Sequence, residues 1–190
     1  MSIADFPVHT FANADEFETW LAQNYQTDGI LIKMAKKASG IPSIDWDGAL
    51  EVALCYGWID GQRNTFDDTY FLQKFTPRRA KSTWSQRNVE KIAQLIAAER
   101  MKPSGHVQVE LAKKDGRWQA AYASPKNMVI PADFLVALEK NKKALAFFET
   151  LNRSNLYAIY FRLETAKKPE TRERRFNAIM SSLENEQKLV

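Results

Sequence analysis

The sequence contains a single cysteine, Cys55, in 190 residues, so no internal disulfide can form and a reducing compartment is expected. No stretch approaches the ~20 apolar residues that a membrane helix requires. The first residues, Met1-Ser2-Ile3-Ala4-Asp5-Phe6, lack a basic segment followed by an apolar one, which predicts no export leader. A soluble cytoplasmic protein without membrane insertion is the expectation. Glycine and proline are scarce at seven each, and no repeat or low-complexity tract occurs, which excludes collagen-like and disordered classes. A phosphate-binding loop, a dinucleotide glycine fingerprint and a serine-hydrolase elbow are all missing. One cysteine and two distant histidines predict no zinc site, and no metal or cofactor is expected. Asp45-Trp46-Asp47-Gly48 imitates the start of a calcium loop, but its glycine is misplaced and no terminal Glu follows. Asp45 reads instead as a helix cap.

The hydrophobic fraction of 45% is ordinary for a globular chain, and this length suits one domain or two. Charge is distributed unevenly. Residues 1–72 hold four basic and eleven acidic side chains, whereas the remainder holds 23 basic and 12 acidic ones. Such an imbalance suits either polyanion binding by the basic half or mutual attraction of the halves within the fold.

Periodicity predicts an α+β fold: a small antiparallel sheet with packed helices over residues 1–125, then a helical C-terminal region over 126–190. Strands are expected at Ile30–Met34 and Tyr70–Phe75, with Ile59–Asn64 as a hairpin partner turning at Phe66-Asp67-Asp68. The helix capped by Asp45 is apolar nearly all round. A later helix carries Val89, Ile92, Ala93 and Ile96 as its stripe, with Arg87, Lys91 and Gln94 opposite. Pro103 to Gly116 reads as another helix, weakened by Gly105, Val107 and Val109. Four more are expected at Ala132–Lys140, Lys142–Leu151, Leu156–Lys167 and Glu170–Glu184.

Cys55 and His106 make a poor nucleophile and base, because Cys55 sits in the most apolar helix, where burial raises a thiol pKa. Two other clusters attract attention. In Gly57-Trp58-Ile59-Asp60-Gly61-Gln62-Arg63-Asn64, an acid and an arginine three residues apart can orient a polar ligand over an indole. In Phe75-Thr76-Pro77-Arg78-Arg79-Ala80-Lys81-Ser82-Thr83-Trp84-Ser85-Gln86-Arg87-Asn88, three cations precede a helix start, and both features favour anions. Arg172 and Arg175 share a face with Phe176 and Ile179, so they are expected to point inward and to need a carboxylate or an anionic ligand. The excess acid of the N-terminal half is the ordinary candidate partner.

The segments Ala53-Leu54-Cys55-Tyr56-Gly57-Trp58-Ile59-Asp60-Gly61 and Phe75 to Asn88, with Arg100-Met101-Lys102-Pro103-Ser104-Gly105, Asp115-Gly116-Arg117-Trp118 and Ala166 to Arg175, resemble the YdeI/OmpD-associated family named for bacteriocin protection. The resemblance implies no reaction and no cofactor, so no catalytic residue is assigned. Its name implies association with an outer-membrane porin, against which the lack of a leader argues. The leading expectation is a binding protein for an anionic small ligand. Its site would draw on Trp58, Asp60, Arg63, Arg78, Arg79, Lys81, Trp84, Ser85, Asn88, Arg172 and Arg175. The alternatives are nucleic-acid binding by the basic half, an enzyme using Asp60 beside Arg63, and a plain interaction protein with structural tryptophans.

Overall fold

The computed structural model describes residues 5–190, which fall into two units: the chain up to Trp84 with Asn88–Ala120, and Ser85–Arg87 with Ala121–Val190. The first unit is built on a four-stranded sheet of order β1-β2-β4-β3. Its strands are β1 (Val8–His9), β2 (Ile30–Ala35), β3 (Trp58–Thr65) and β4 (Tyr70–Pro77). The hairpin β3–β4 and the pairing of β2 with β4 are antiparallel as expected, but β1 runs parallel to β2. The sheet is therefore mixed. Two residues beside a proline carry too little pattern to announce a strand. Parallel pairing follows because α1 (Ala14–Asn24), capped by Asn13 on the Glu16 N–H, returns the chain across the sheet.

The sheet face bearing Ile30, Ile32, Met34 and Phe75 is fully buried. Phe17 of α1 packs on Phe75 at 5.8 Å. α2 (Trp46–Cys55) begins at Asp45, whose carboxylate accepts from the Gly48 N–H at 2.7 Å, the cap expected from the sequence. Ala49, Leu50, Val52, Ala53, Leu54 and Cys55 of this helix are all buried. β3 carries an irregularity between Asp60 and Arg63. The buried Gln73 side chain fills it, donating to the Gly61 carbonyl at 2.9 Å. Asp60 thus lies opposite Phe75, and Arg63 opposite Gln73. Phe75 and Gln73 are two apart on β4 and share a face, so Asp60 and Arg63 also share one despite their odd spacing.

α3 (Gln86–Ala97) buries Asn88, Ile92 and Leu95; of the expected stripe Ile92 is buried and Val89 half-buried, but Ala93 and Ile96 are exposed. The helix is rotated because Lys91, assigned to its outer face, turns toward α2 and binds Glu51. α4 (Pro103–Lys114) follows. Gly105, which weakened its helical reading, is explained by contact: a Cβ there would lie 2.2 Å from the Cys55 carbonyl oxygen. Gly57, with φ +79°, faces the same helix, and its Cβ would meet the Ser104 carbonyl oxygen at 2.9 Å.

The second unit contains α5 (Ala132–Glu139), α6 (Lys142–Glu149), α7 (Arg153–Glu164) and α8 (Pro169–Glu184). Phe134, Leu138, Ala144, Leu151, Ile159, Leu163, Ile179 and Leu183 form its core. Buried Asn155 accepts from the Leu189 and Val190 N–H groups, which pins the end of the chain. Among the described residues no helix is long and apolar enough to cross a membrane.

Gly105→Ala is expected to lower stability by about 2 kcal/mol or more through overpacking against the α2 terminus. His106→Ala, next to it but exposed, should change stability by less than about 0.5 kcal/mol. Urea denaturation of the two variants checks the contrast.

Candidate ligand-binding cleft

Part of the cationic excess is paired inside the first unit. Glu51 accepts from Lys91 Nζ at 2.9 Å and from Arg100 Nη1 at 3.0 Å, and Lys102 Nζ lies 2.9 Å from Glu18. The hydrogen bond from Lys91, joined by Arg100, holds the Glu51 carboxyl below its ordinary range although burial opposes this. Acids from the first 72 residues therefore neutralise bases from the remainder. Burial pushes the Cys55 thiol up to about 11, which suits an inert core residue.

The two tryptophans expected to wall a cleft are enclosed instead. Trp58 is 1% exposed, donates its indole N–H to the Tyr25 carbonyl at 2.8 Å and meets Trp20 edge-on. Trp84, also 1% exposed, packs against Trp118 and beneath the Arg78 guanidinium at 3.6 Å. Arg78 is itself buried and donates to the Thr83 carbonyl at 3.1 Å. Ser82 accepts from the Arg79 N–H, closing the loop, while Arg79 and Lys81 are exposed. Asn88 is buried in the same unit. This cluster joins cation to indole as structure, so its aromatic faces are not presented to a ligand.

Ser85, Arg172 and Arg175 belong to the second unit. Ser85 pairs with Tyr122. Arg172 makes a two-pronged bond to Asp133 at 2.7 and 2.8 Å, and Arg175 donates to the Arg162 carbonyl at 2.8 Å. Arg172 and Arg175 are thus satisfied, but by the C-terminal half rather than by the acidic N-terminal half. The bond from Arg172 holds the Asp133 carboxyl below its usual value.

Asp60 and Arg63 lie on one face of β3, where Asp60 binds an indole other than Trp58 and Arg63 lines the same cleft as that indole. Asp60 Oδ2 accepts from Trp46 Nε1 at 3.2 Å, which fixes the first side chain of α2. Beyond it, the chain from Ala35 to Trp46, with Arg63 and Phe71, lines an open cleft of about 620 Å³. That volume is within the range of small-molecule sites. The loop is short, with a 3-10 turn at Lys37–Ser39 closed by Gly40 at φ +68°. Ser43 Oγ accepts from the Ala35 N–H and ties the loop to β2. Ile41, Pro42 and Trp46 supply apolar wall. The Arg63 guanidinium lies 3.7 Å over the Phe71 ring. Lys36 Nζ is bound to the Asp67 carbonyl. Neither the Arg63 nor the Lys37 side chain has a hydrogen bond or ion pair to any described residue.

The sequence announced Arg63 and Asp60 but not their partners. Lys36 and Lys37 are visible as a basic loop before Gly40, yet nothing local shows that this loop folds over β3. With this arrangement in place, the relatives can be compared. Residues 9–108, which hold the whole cleft, match the model of a domain of unknown function, DUF8412. The chain belongs to the DUF8412 family. Residues 127–186, within the second unit, match the bacteriocin-protection, YdeI or OmpD-associated model. The YdeI/OmpD likeness is thereby located in the C-terminal helices, while the motifs at 53–61, 75–88 and 100–105 lie in the DUF8412 region. No curated protein and no solved structure matches the chain.

The Glu51 cluster sets a pH dependence in this DUF8412 region. A depressed folded-state pKa contributes stability above the unfolded value near 4.5, and that stability is lost as pH falls. Glu51→Gln should cost about 1 kcal/mol at pH 7, after allowance for solvent screening. The difference from wild type should shrink as pH falls below about 4.5 and on through the depressed folded-state pKa, which chemical denaturation across pH checks.

Proposed function

We propose that this is a cytoplasmic binding protein for an anionic small molecule, held in the cleft between the Lys36–Trp46 loop and the β3–β4 hairpin. The observation that carries the reading is the pair Arg63 and Lys37. Both line an apolar-walled cleft, and neither is neutralised by the protein. An unengaged guanidinium beside apolar surface is suited to a carboxylate or phosphate, because its fork donates two parallel hydrogen bonds. The Arg78–Lys81 loop contributes charge outside this cleft in the present reading, since Arg78 and Trp84 are committed to each other.

Nucleic-acid binding is weaker on the same grounds, because Lys91, Arg100 and Lys102 are tied to carboxylates. An enzymatic role for Asp60 would have to act through a carboxylate already accepting from Trp46.

A thermal-shift panel of carboxylates, phosphates, nucleotides and short oligonucleotides tests the proposal. A ligand at ~100 times its dissociation constant adds roughly 2.7 kcal/mol, or about 5–10 °C at this size. The expected result is a shift from small anions that Arg63→Ala abolishes and Arg79→Ala retains. A shift lost in Arg79→Ala alone places the site elsewhere. A response only to oligonucleotides, fading with salt, replaces the proposal with nucleic-acid binding.

A further inference from the structure

The geometry of the cleft points to a narrower ligand class, and this inference rests on the anion-binding reading above: we infer that the ligand is a flat, largely apolar monocarboxylate, such as an aromatic or conjugated acid. The orientation of Arg63 is the first reason. At 3.7 Å from the Phe71 centroid, the guanidinium carbon is in van der Waals contact with the ring, too close for a nitrogen to be aimed straight at it. Most of its N–H groups are therefore directed along or away from the Phe71 face. A carboxylate meeting two of them lies in the guanidinium plane. Any conjugated body attached to that carboxylate continues in the same plane.

The walls are the second reason. Trp46 is the one indole in the cleft, and its N–H is already bound by Asp60. It therefore offers a ligand its ring rather than a hydrogen bond. Ile41 and Pro42 add apolar surface. A largely apolar body suits such walls, whereas a heavily hydroxylated one would leave polar groups without partners.

Charge is the third reason, and it separates a carboxylate from a phosphate. Phosphate sites gather many donors, often at a free helix N-terminus. Here the N-terminus of α2 is occupied by its own Asp45 carboxylate, which also lines the cleft. That negative charge opposes a dianion near it. Lys36 is spent on the Asp67 carbonyl. The cations left are Arg63 and Lys37, enough for one negative charge held in a plane by the first and screened by the second.

The test is isothermal titration of the full chain with 1-naphthoate, 1-naphthyl phosphate, 1-naphthalenemethanol and inorganic phosphate. The inference predicts that naphthoate binds at least tenfold more tightly than naphthyl phosphate, and that the neutral alcohol and inorganic phosphate bind weakly or not at all. Arg63→Lys should lose most of the naphthoate affinity because it keeps charge but not the planar fork. Arg63 is exposed, so this variant should keep the wild-type melting temperature and circular dichroism. Equal or tighter binding of naphthyl phosphate, with dependence on Arg63, overturns the carboxylate inference and leaves the anion-binding reading standing. Full retention of naphthoate affinity in Arg63→Lys overturns the planar-fork argument. Absence of heat from all the anions in wild type overturns the inference and the reading together.

Discussion

The first unit depends on how closely α4 approaches the end of α2. Two glycines make that approach possible, Gly57 just after α2 and Gly105 in the first turn of α4. A methyl group at either would collide with backbone. The Cys55 carbonyl, left over at the end of α2, accepts the Lys102 N–H at 3.0 Å, and the Gly57 carbonyl accepts the Arg78 N–H at 3.0 Å. One short stretch therefore joins α2, the exit of β4 and the start of α4. Helix ends leave carbonyls unsatisfied, and here those carbonyls are what the neighbouring segments bind. The position of α2 follows from this junction, and the direction of its N-terminus, with Asp45 and Trp46, follows from α2.

The cleft is the other end of the same lever. Trp46 sits one residue after the cap and is held by Asp60 across the sheet. The irregularity in β3, filled by Gln73, brings Asp60 and Arg63 to one face. Without it, a three-residue spacing would send Arg63 to the opposite face from Asp60. A buried glutamine and two glycines, none of which carries chemistry, thus fix the geometry of the site. Glu18 and Glu51 of the acidic first third are paired with Lys91, Arg100 and Lys102, whereas Arg63 and Lys37 line the cleft without an ion pair.

The elements were largely legible in the sequence because each carries its own signal. Asp45 is a cap, Pro103 opens α4, and Phe66-Asp67-Asp68 turns the hairpin where expected. The failures have physical causes. β1 is two residues long. The face of α3 was misassigned because Lys91 is drawn inward by Glu51, a partner 40 residues away. Trp58 and Trp84 looked like ligand surface because aromatic and basic residues alternate around them, a pattern that a buried cation–indole pair also produces. The cleft was half legible: Asp60 and Arg63 were singled out, but the loop that covers them is distant in sequence and the indole is Trp46.

The most direct test of the account is a titration of uniformly 15N-labelled protein with 1-naphthoate, followed by amide and arginine side-chain NMR. The account predicts that the Arg63 Nε–Hε signal, the amides of residues 36–46 and the Trp46 indole N–H shift together along one saturable curve. The Trp84 indole and the amides of residues 78–83 should stay in place. Saturable shifts confined to residues 78–83, with Arg63 unmoved, would contradict it.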